Sequence, residues 1–166
     1  MITPAYVQKM AAYNAEMNRR WYAAASRLTD AQRKEDRGAF FGSLHGTLCH
    51  ILWGDRLWMH RFADWERPTV DQKQSPQLYA DFDELRAARV EADAALVAWA
   101  SAMTQGWLDS ELVWFSGSMQ RELTQKRDLL VVHMFNHQTH HRGQAHALLS
   151  AMGEDTSDTD LPFVKL

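Results

Sequence analysis

HMFNHQTHHRGQAH, residues 133–146, holds His133, His137, His140, His141 and His146, five of the chain's eight histidines. A helix turns about 100° per residue, so with His137 at zero, His133 lies near −40°, His141 near +40° and His140 near −60°. His146 falls at about 180°, on the opposite side. His133, His137 and His141 therefore form one ridge, continued by Leu130, Gln144 and Leu148. The pattern predicts a long helix from about residue 125 to 152, capped by Thr124 and ended by Gly153.

Two imidazoles a helical turn apart can grip one metal ion with little backbone adjustment. By itself the pair is a weak signal. Zinc that also holds water usually has three protein ligands, so the third must come from another element. The segment GSLHGTLCHILWGDRLWMH, residues 42–60, offers candidates on a predicted helix from about Ser43 to Ala63. Its apolar residues cover more than one face, which predicts a central position. His45 and His60 lie about 140° and 80° from His50 on the wheel, so at most one of the three points at the pair. His50 has Gly46 one turn before it and Gly54 one turn after. Each mid-helix glycine costs about 0.5–1 kcal/mol relative to alanine. Their placement predicts space beside the ring for a neighbouring helix or a bound molecule. Helix packing alone also explains the glycines, and a lone histidine on an apolar face is more often a hydrogen-bonded core residue than a ligand. Cys49, the only cysteine, is a soft ligand type but lies about 100° off the His50 direction.

Further out, Thr3 and Pro4 predict a helix start, and Val7, Met10, Asn14, Met17, Trp21, Ala24 and Leu28 give it one stripe. Thr29 and Gln32 resemble a capping box for a short turn. Residues 66–76 read as a loop. Asp81 and Glu84 open a helix from about Phe82 to Met103, with Phe82, Leu85, Val90, Leu96, Val97, Ala100 and Met103 as its apolar stripe. ELVWF and MQREL flank Ser116-Gly117-Ser118 and predict a small β-hairpin. Four long helices make an antiparallel bundle the expected architecture, and the tail EDTSDTDLPFVKL is expected to lie across the surface.

The 166 residues fit one domain, 1–166, with room to bury a real core. A 46% hydrophobic, 23% charged composition argues against disorder, and a net charge of −3 gives no footprint for nucleic acid. One cysteine excludes an intramolecular disulfide. MITPAYVQKM lacks the pattern of a signal peptide, and no apolar run is long enough to span a membrane, so a cytoplasmic location is the expectation. The seven tryptophans read as core packing.

FFGSLHGTLCHILWGDRLWMHRF (40–62), followed by LLVVHMFNHQTHHRGQAHALL (129–149) and preceded by YNAEMN (13–18), resembles the DinB family of damage-inducible four-helix metalloproteins. The likeness covers nearly the whole chain. It implies an all-α four-helix bundle with a small hairpin before the last helix, often a homodimer. It also implies a three-histidine site of zinc or nickel on His50, His137 and His141, the three that the wheel selects. Cys49 stands where close relatives often have asparagine. His133 recurs in relatives without being a ligand, so a supporting or pocket role is implied. Asp55 and Trp58 point away from the ligand face on the wheel. They read as structural, the carboxylate tying down a helix or loop through an arginine and the indole packing. Arg142 and Gln144 are alternatives for holding a ligand ring.

Three nitrogen ligands leave a coordination position open. Similarity to characterised relatives implies a metal-dependent enzyme, either a transferase or isomerase using a low-molecular-weight thiol, or a hydrolase, with an unknown small-molecule substrate. No glutamate adjoins the histidines as it does in HExxH helices, which leaves His133 as the candidate for proton transfer. The alternatives are a non-catalytic module that binds a small ligand through its metal, and a structural ion joining two helices. Closed structural zinc usually takes four protein ligands, which weighs against the last.

Overall fold

The computed structural model describes residues 1–117 and 119–166. The first helix, α1, spans Pro4–Ala25, with the Thr3 hydroxyl accepting from the Tyr6 N–H. It stops three residues short of Leu28 because the N–H groups of Arg27 and Leu28 turn to the carbonyls three residues back. Thr29 and Gln32 then close a reciprocal capping box on α2, Asp30–Lys34. Ser43 caps α3, Leu44–Ala63, and Asp64 ends it in the left-handed conformation. Asp81 accepts from the Asp83 and Glu84 N–H groups to open α4, Phe82–Ser101. A short helix that the sequence pattern does not reveal, α5, Gln105–Asp109, follows under a Thr104 cap.

The hairpin is present. β1, Glu111–Ser116, pairs antiparallel with β2, Arg121–Lys126. Of the turn expected at Ser116-Gly117-Ser118, Ser118 lies outside the described residues. The expected Thr124 cap is not there: Thr124 pairs with Val113 inside the ladder, which runs on to Glu111–Lys126. The last helix, α6, therefore starts later, at Arg127–Ala151, with no side-chain cap. The Arg127 N–H instead reaches the Ser110 carbonyl just before β1. Beyond Ala151, Gly153 takes a positive φ of 81° and Glu154 bonds back to Leu149, ending the helix as the glycine predicts.

α1, α3, α4 and α6 form a four-helix bundle in which α1 and α3 each pack on α4 and α6. The bundle is not antiparallel throughout. His50 meets His137 and Trp58 meets His133, so α3 and α6 run in opposite directions. Tyr6 meets Phe135 and Trp21 meets Arg142, so α1 and α6 run the same way. Leu44 and Leu48 cluster with Phe82 and Leu85, and Met59 and Phe62 with Leu96 and Ala100, so α3 and α4 start at one end and residues 64–81 must return along the bundle to join them. That return is visible in its bonds: Trp65 meets His60, Val70 meets Trp53, Ser75 meets His50 and Tyr79 meets His45. Among the described residues no helix is long and apolar enough to cross a membrane.

The core has two apolar clusters, one around Trp21, Leu48 and Leu85, the other around Met59, Leu96 and Phe135. Chain positions between them carry buried polar groups: Asn14, Asn18, Asp55, Arg89, Asp93, Gln138 and Arg142. Arg89 corrects the expected α4 stripe. Val90 is 65% exposed while Arg89 is 2% exposed. The helix turns its Leu85, Ala88, Ala92 and Leu96 face inward, and Arg89 shares that face because acids meet it there. Its guanidinium donates to Asp55 Oδ2 at 2.5 Å and forms an ion pair with Asp93 Oδ1 at 2.8 Å.

Candidate metal centre

α3 supplies His50, and α6 supplies His137 and His141. One ring nitrogen from each lies within 4.8 Å of the others. The ring centroids are 4.5–5.1 Å apart, and Nε2 of His50 stands 3.1 Å from Nε2 of His137. The glycine at 54 makes this approach feasible. A Cβ there would lie 2.6 Å from His137 Cε1, so the space beside His50 on that flank is filled by the neighbouring helix's own histidine. At Gly46 the Phe41 carbonyl and Pro76 fill the other flank.

Hydrogen bonds fix which nitrogens are free. Ser75 donates its hydroxyl proton to the Gln72 carbonyl at 2.7 Å, so its oxygen accepts the Nδ1–H of His50, also at 2.7 Å. His141 Nδ1 lies 2.9 Å from Gln144 Oε1, an oxygen that can only accept. In both rings Nε2 therefore keeps its lone pair. His137 Nδ1 is buried without a partner, and its Nε2 faces that of His50. Burial, reinforced by His141, pushes the His50 pKa down to about 4; burial and then His141 and His50 push His137 down to about 3. Burial lowers His141 as well. Rings that are neutral at neutral pH, with inner lone pairs on His50 and His141, suit a divalent cation. Two facing Nε2 atoms at 3.1 Å are what such a cation would bridge.

Phe41 covers one side, stacked on His50 at 3.8 Å and 5.2 Å from His141. His133 continues the ridge as expected, exposed, 6.2 Å from His137. Trp58 packs as expected, against Phe62 and Trp114, and its indole also lies 5.1 Å from the His133 ring. Asp55 does tie helices through an arginine, namely Arg89, and also accepts from Gln138 Nε2 at 2.7 Å, next to His137. Of the two alternatives for holding a ring, Gln144 does so. Arg142 bonds Asn14 on α1 instead and lies over Tyr13. His45, His60 and His146 bond elsewhere, to Tyr79, Trp65 and Thr156. His140 is exposed beside His141. The buried Cys49 thiol points at the Tyr79 carbonyl. Ser75 has no sequence signal, since it sits in no periodic element or quoted motif; Phe41 lies in the stretch that carries the family likeness, but nothing in its spacing marks it as a cover for the site.

A cavity of about 520 Å³ includes none of His50, His137, His141, Ser75, Gln144 or Phe41; it lies between α3, residues 65–69 and α4, lined among others by Arg56, Trp65, Tyr79 and Glu91. The histidine cluster is the better candidate because its chemistry converges and the cavity's does not.

The fold and the cluster define a helical bundle that can hold a metal ion on three histidines from two facing helices. Comparison with family models matches residues 1–165 to the DinB family. The chain belongs to that family. No curated protein matches it.

Proposed function

We propose that this chain is a divalent-metal-dependent enzyme of the thiol-transferase or hydrolase class, with His50, His137 and His141 as ligands of zinc or nickel. The observation that carries the proposal is the convergence of three neutral imidazoles whose outer nitrogens, in His50 and His141, are held by Ser75 and Gln144. Among the described residues the group contains no fourth histidine, cysteine or carboxylate, which leaves room for a substrate atom rather than closing a structural site. A divalent ion held there supplies a Lewis acid that brings the pKa of a water or thiol toward neutrality. The chain's own groups do the rest. Ser75 and Gln144 hold the ligand rings, Phe41 keeps water from one side, and His133 takes up the released proton. The packing of one side of the ring on Trp58, which buries it in part, and then the positive charge of Arg61 lower the His133 pKa, so the ring is neutral at neutral pH and can accept. A low-molecular-weight thiol as cosubstrate and pairing into a homodimer belong to the same proposal.

Metal analysis of protein prepared without an affinity tag, followed by a panel of cellular thiols and electrophiles, tests it. Metal-dependent consumption of thiol, or hydrolysis, supports the reading. Failure to retain zinc or nickel after dialysis overturns it. Tight metal-dependent binding of a small molecule without turnover favours a binding module instead, a reading supported by the lack of any carboxylate base in the cluster.

Ser75→Ala removes the acceptor that orients His50. Losing such a partner typically weakens metal binding by about 10–100-fold. A chelator competition is expected to show that loss with the bundle still folded; unchanged affinity would mean the serine does not set the tautomer.

A further inference from the structure

Arg61 stands out among the arginines of this chain. Arg89 pairs with Asp55 and Asp93, Arg27 with Glu154, and Arg20 with Glu16. Arg61 is partly buried, yet among the described residues no carboxylate or hydrogen-bond acceptor meets it. Its guanidinium lies 4.5 Å from the centre of Trp58 and 5.7 Å from that of Trp114, whose indoles are 6.1 Å apart. The hairpin makes this setting: Leu112 and Trp114 turn to the bundle side of β1 while Val113 and Phe115 are exposed. A guanidinium stacked on an aromatic face is oriented, and its edge donors stay free for an anion. Burial and nearby Arg67 both disfavour its charge, so an anionic partner would relieve what the protein leaves uncompensated.

The same surface leads to the metal centre. Trp58 touches His133 at 5.1 Å, and His133 stands 6.2 Å from His137. We propose that Arg61 is a specificity residue: it binds the carboxylate of a substrate whose apolar middle lies on Trp58 and His133 and whose reactive end reaches the three histidines. One unpaired guanidinium fork matches one carboxylate in charge and shape. The proposal rests on the metal-site reading for the reactive end only; the carboxylate contact stands on the Arg61–Trp58–Trp114 geometry.

Two arms test it separately. In cobalt-substituted protein, ω-mercaptoalkanoates of graded length are compared with their methyl esters, following the thiolate-to-cobalt absorption. At a matching length the acid is expected to bind at least about tenfold more tightly than the ester. Arg61→Ala should abolish that preference, Arg61→Lys should keep part of it, and both should retain cobalt. In metal-free protein, ω-phenylalkanoates should quench tryptophan fluorescence more than their esters, again only with Arg61 present. If no thiol gives the absorption band but this second preference appears, the metal reading fails and the Arg61 assignment stands. Equal binding of acids and esters in both arms overturns the assignment. So does an Arg61→Ala variant with an altered oligomeric mass and an unchanged acid-to-ester ratio, which would place the guanidinium in a contact between copies.

Discussion

Replacing any one of His50, His137 or His141 with alanine is expected to lower bound zinc or nickel from about one ion per chain to almost none after dialysis. Two nitrogens remain in each variant, and two imidazoles without the third cannot complete the ligand set of an open zinc site. The three rings contribute differently to the fold. His50→Ala also frees Ser75 and removes the surface under Phe41. His137→Ala leaves a gap over Gly54. His141→Ala releases only Gln144 among its polar partners. His146→Ala is the control: its ring bonds Thr156 and lies beside Trp21, on the far side of α6. That variant should keep its full metal content. Elemental analysis of the four proteins, with circular dichroism to establish folding, decides the matter. Metal retained by any of the first three, or lost from the fourth, would refute the ligand assignment.

Asp55→Ala is expected to destabilise the fold by about 3–5 kcal/mol, the range seen when one partner of a buried ion pair is removed. Asp55 is fully buried and Arg89 is 2% exposed, so no water can take over the lost contact. Burial alone would lower the Arg89 pKa, but Asp93 and Asp55 outweigh it and hold the guanidinium charged. Without Asp55 that charge keeps only Asp93, whose own carboxyl is pushed up by burial and also serves Asn18. Gln138 loses its acceptor as well. For a chain of this size each kcal/mol moves the melting temperature by roughly 2–4 °C, so the midpoint should fall by at least about 6 °C. Replacing Asp55, Arg89 and Asp93 together with apolar residues of similar volume should recover much of the loss, because the unpaired charge is then gone. A change under about 1 kcal/mol for Asp55→Ala would show that the pair does not hold the bundle together.

Helix periodicity is local, and so what depends on it was legible in the residues. The caps at Thr3, Thr29 and Asp81, the stop at Gly153, and the common face of His133, His137 and His141 all follow from contacts within a turn or two of chain. Even the choice of His50 had a local mark in Gly54, whose missing side chain makes the place His137 occupies. Where a local pattern competed with a distant partner, the partner won. Thr124 looks like a helix cap but is held in a strand by Val113. Arg89 looks like a surface charge but is drawn inside by Asp55 on another helix.

The rest was decided only when the four helices came together. Ser75 reaches His50 because α3 and α4 start at the same end, which forces residues 64–81 back past the site; nothing in SPQ itself announces a contact 25 positions away. Trp58, Trp114 and Arg61 meet because the hairpin folds over the α3–α6 seam. The amino-acid order thus set the four long helices, most of their inward faces and the His137–His141 pair, since these depend on the 3.6-residue turn, while Gly54 marked His50. Tertiary packing set the tautomers of His50 and His141 and left the Arg61 guanidinium without a carboxylate among the described residues, since these depend on which distant side chains share a few ångströms of space.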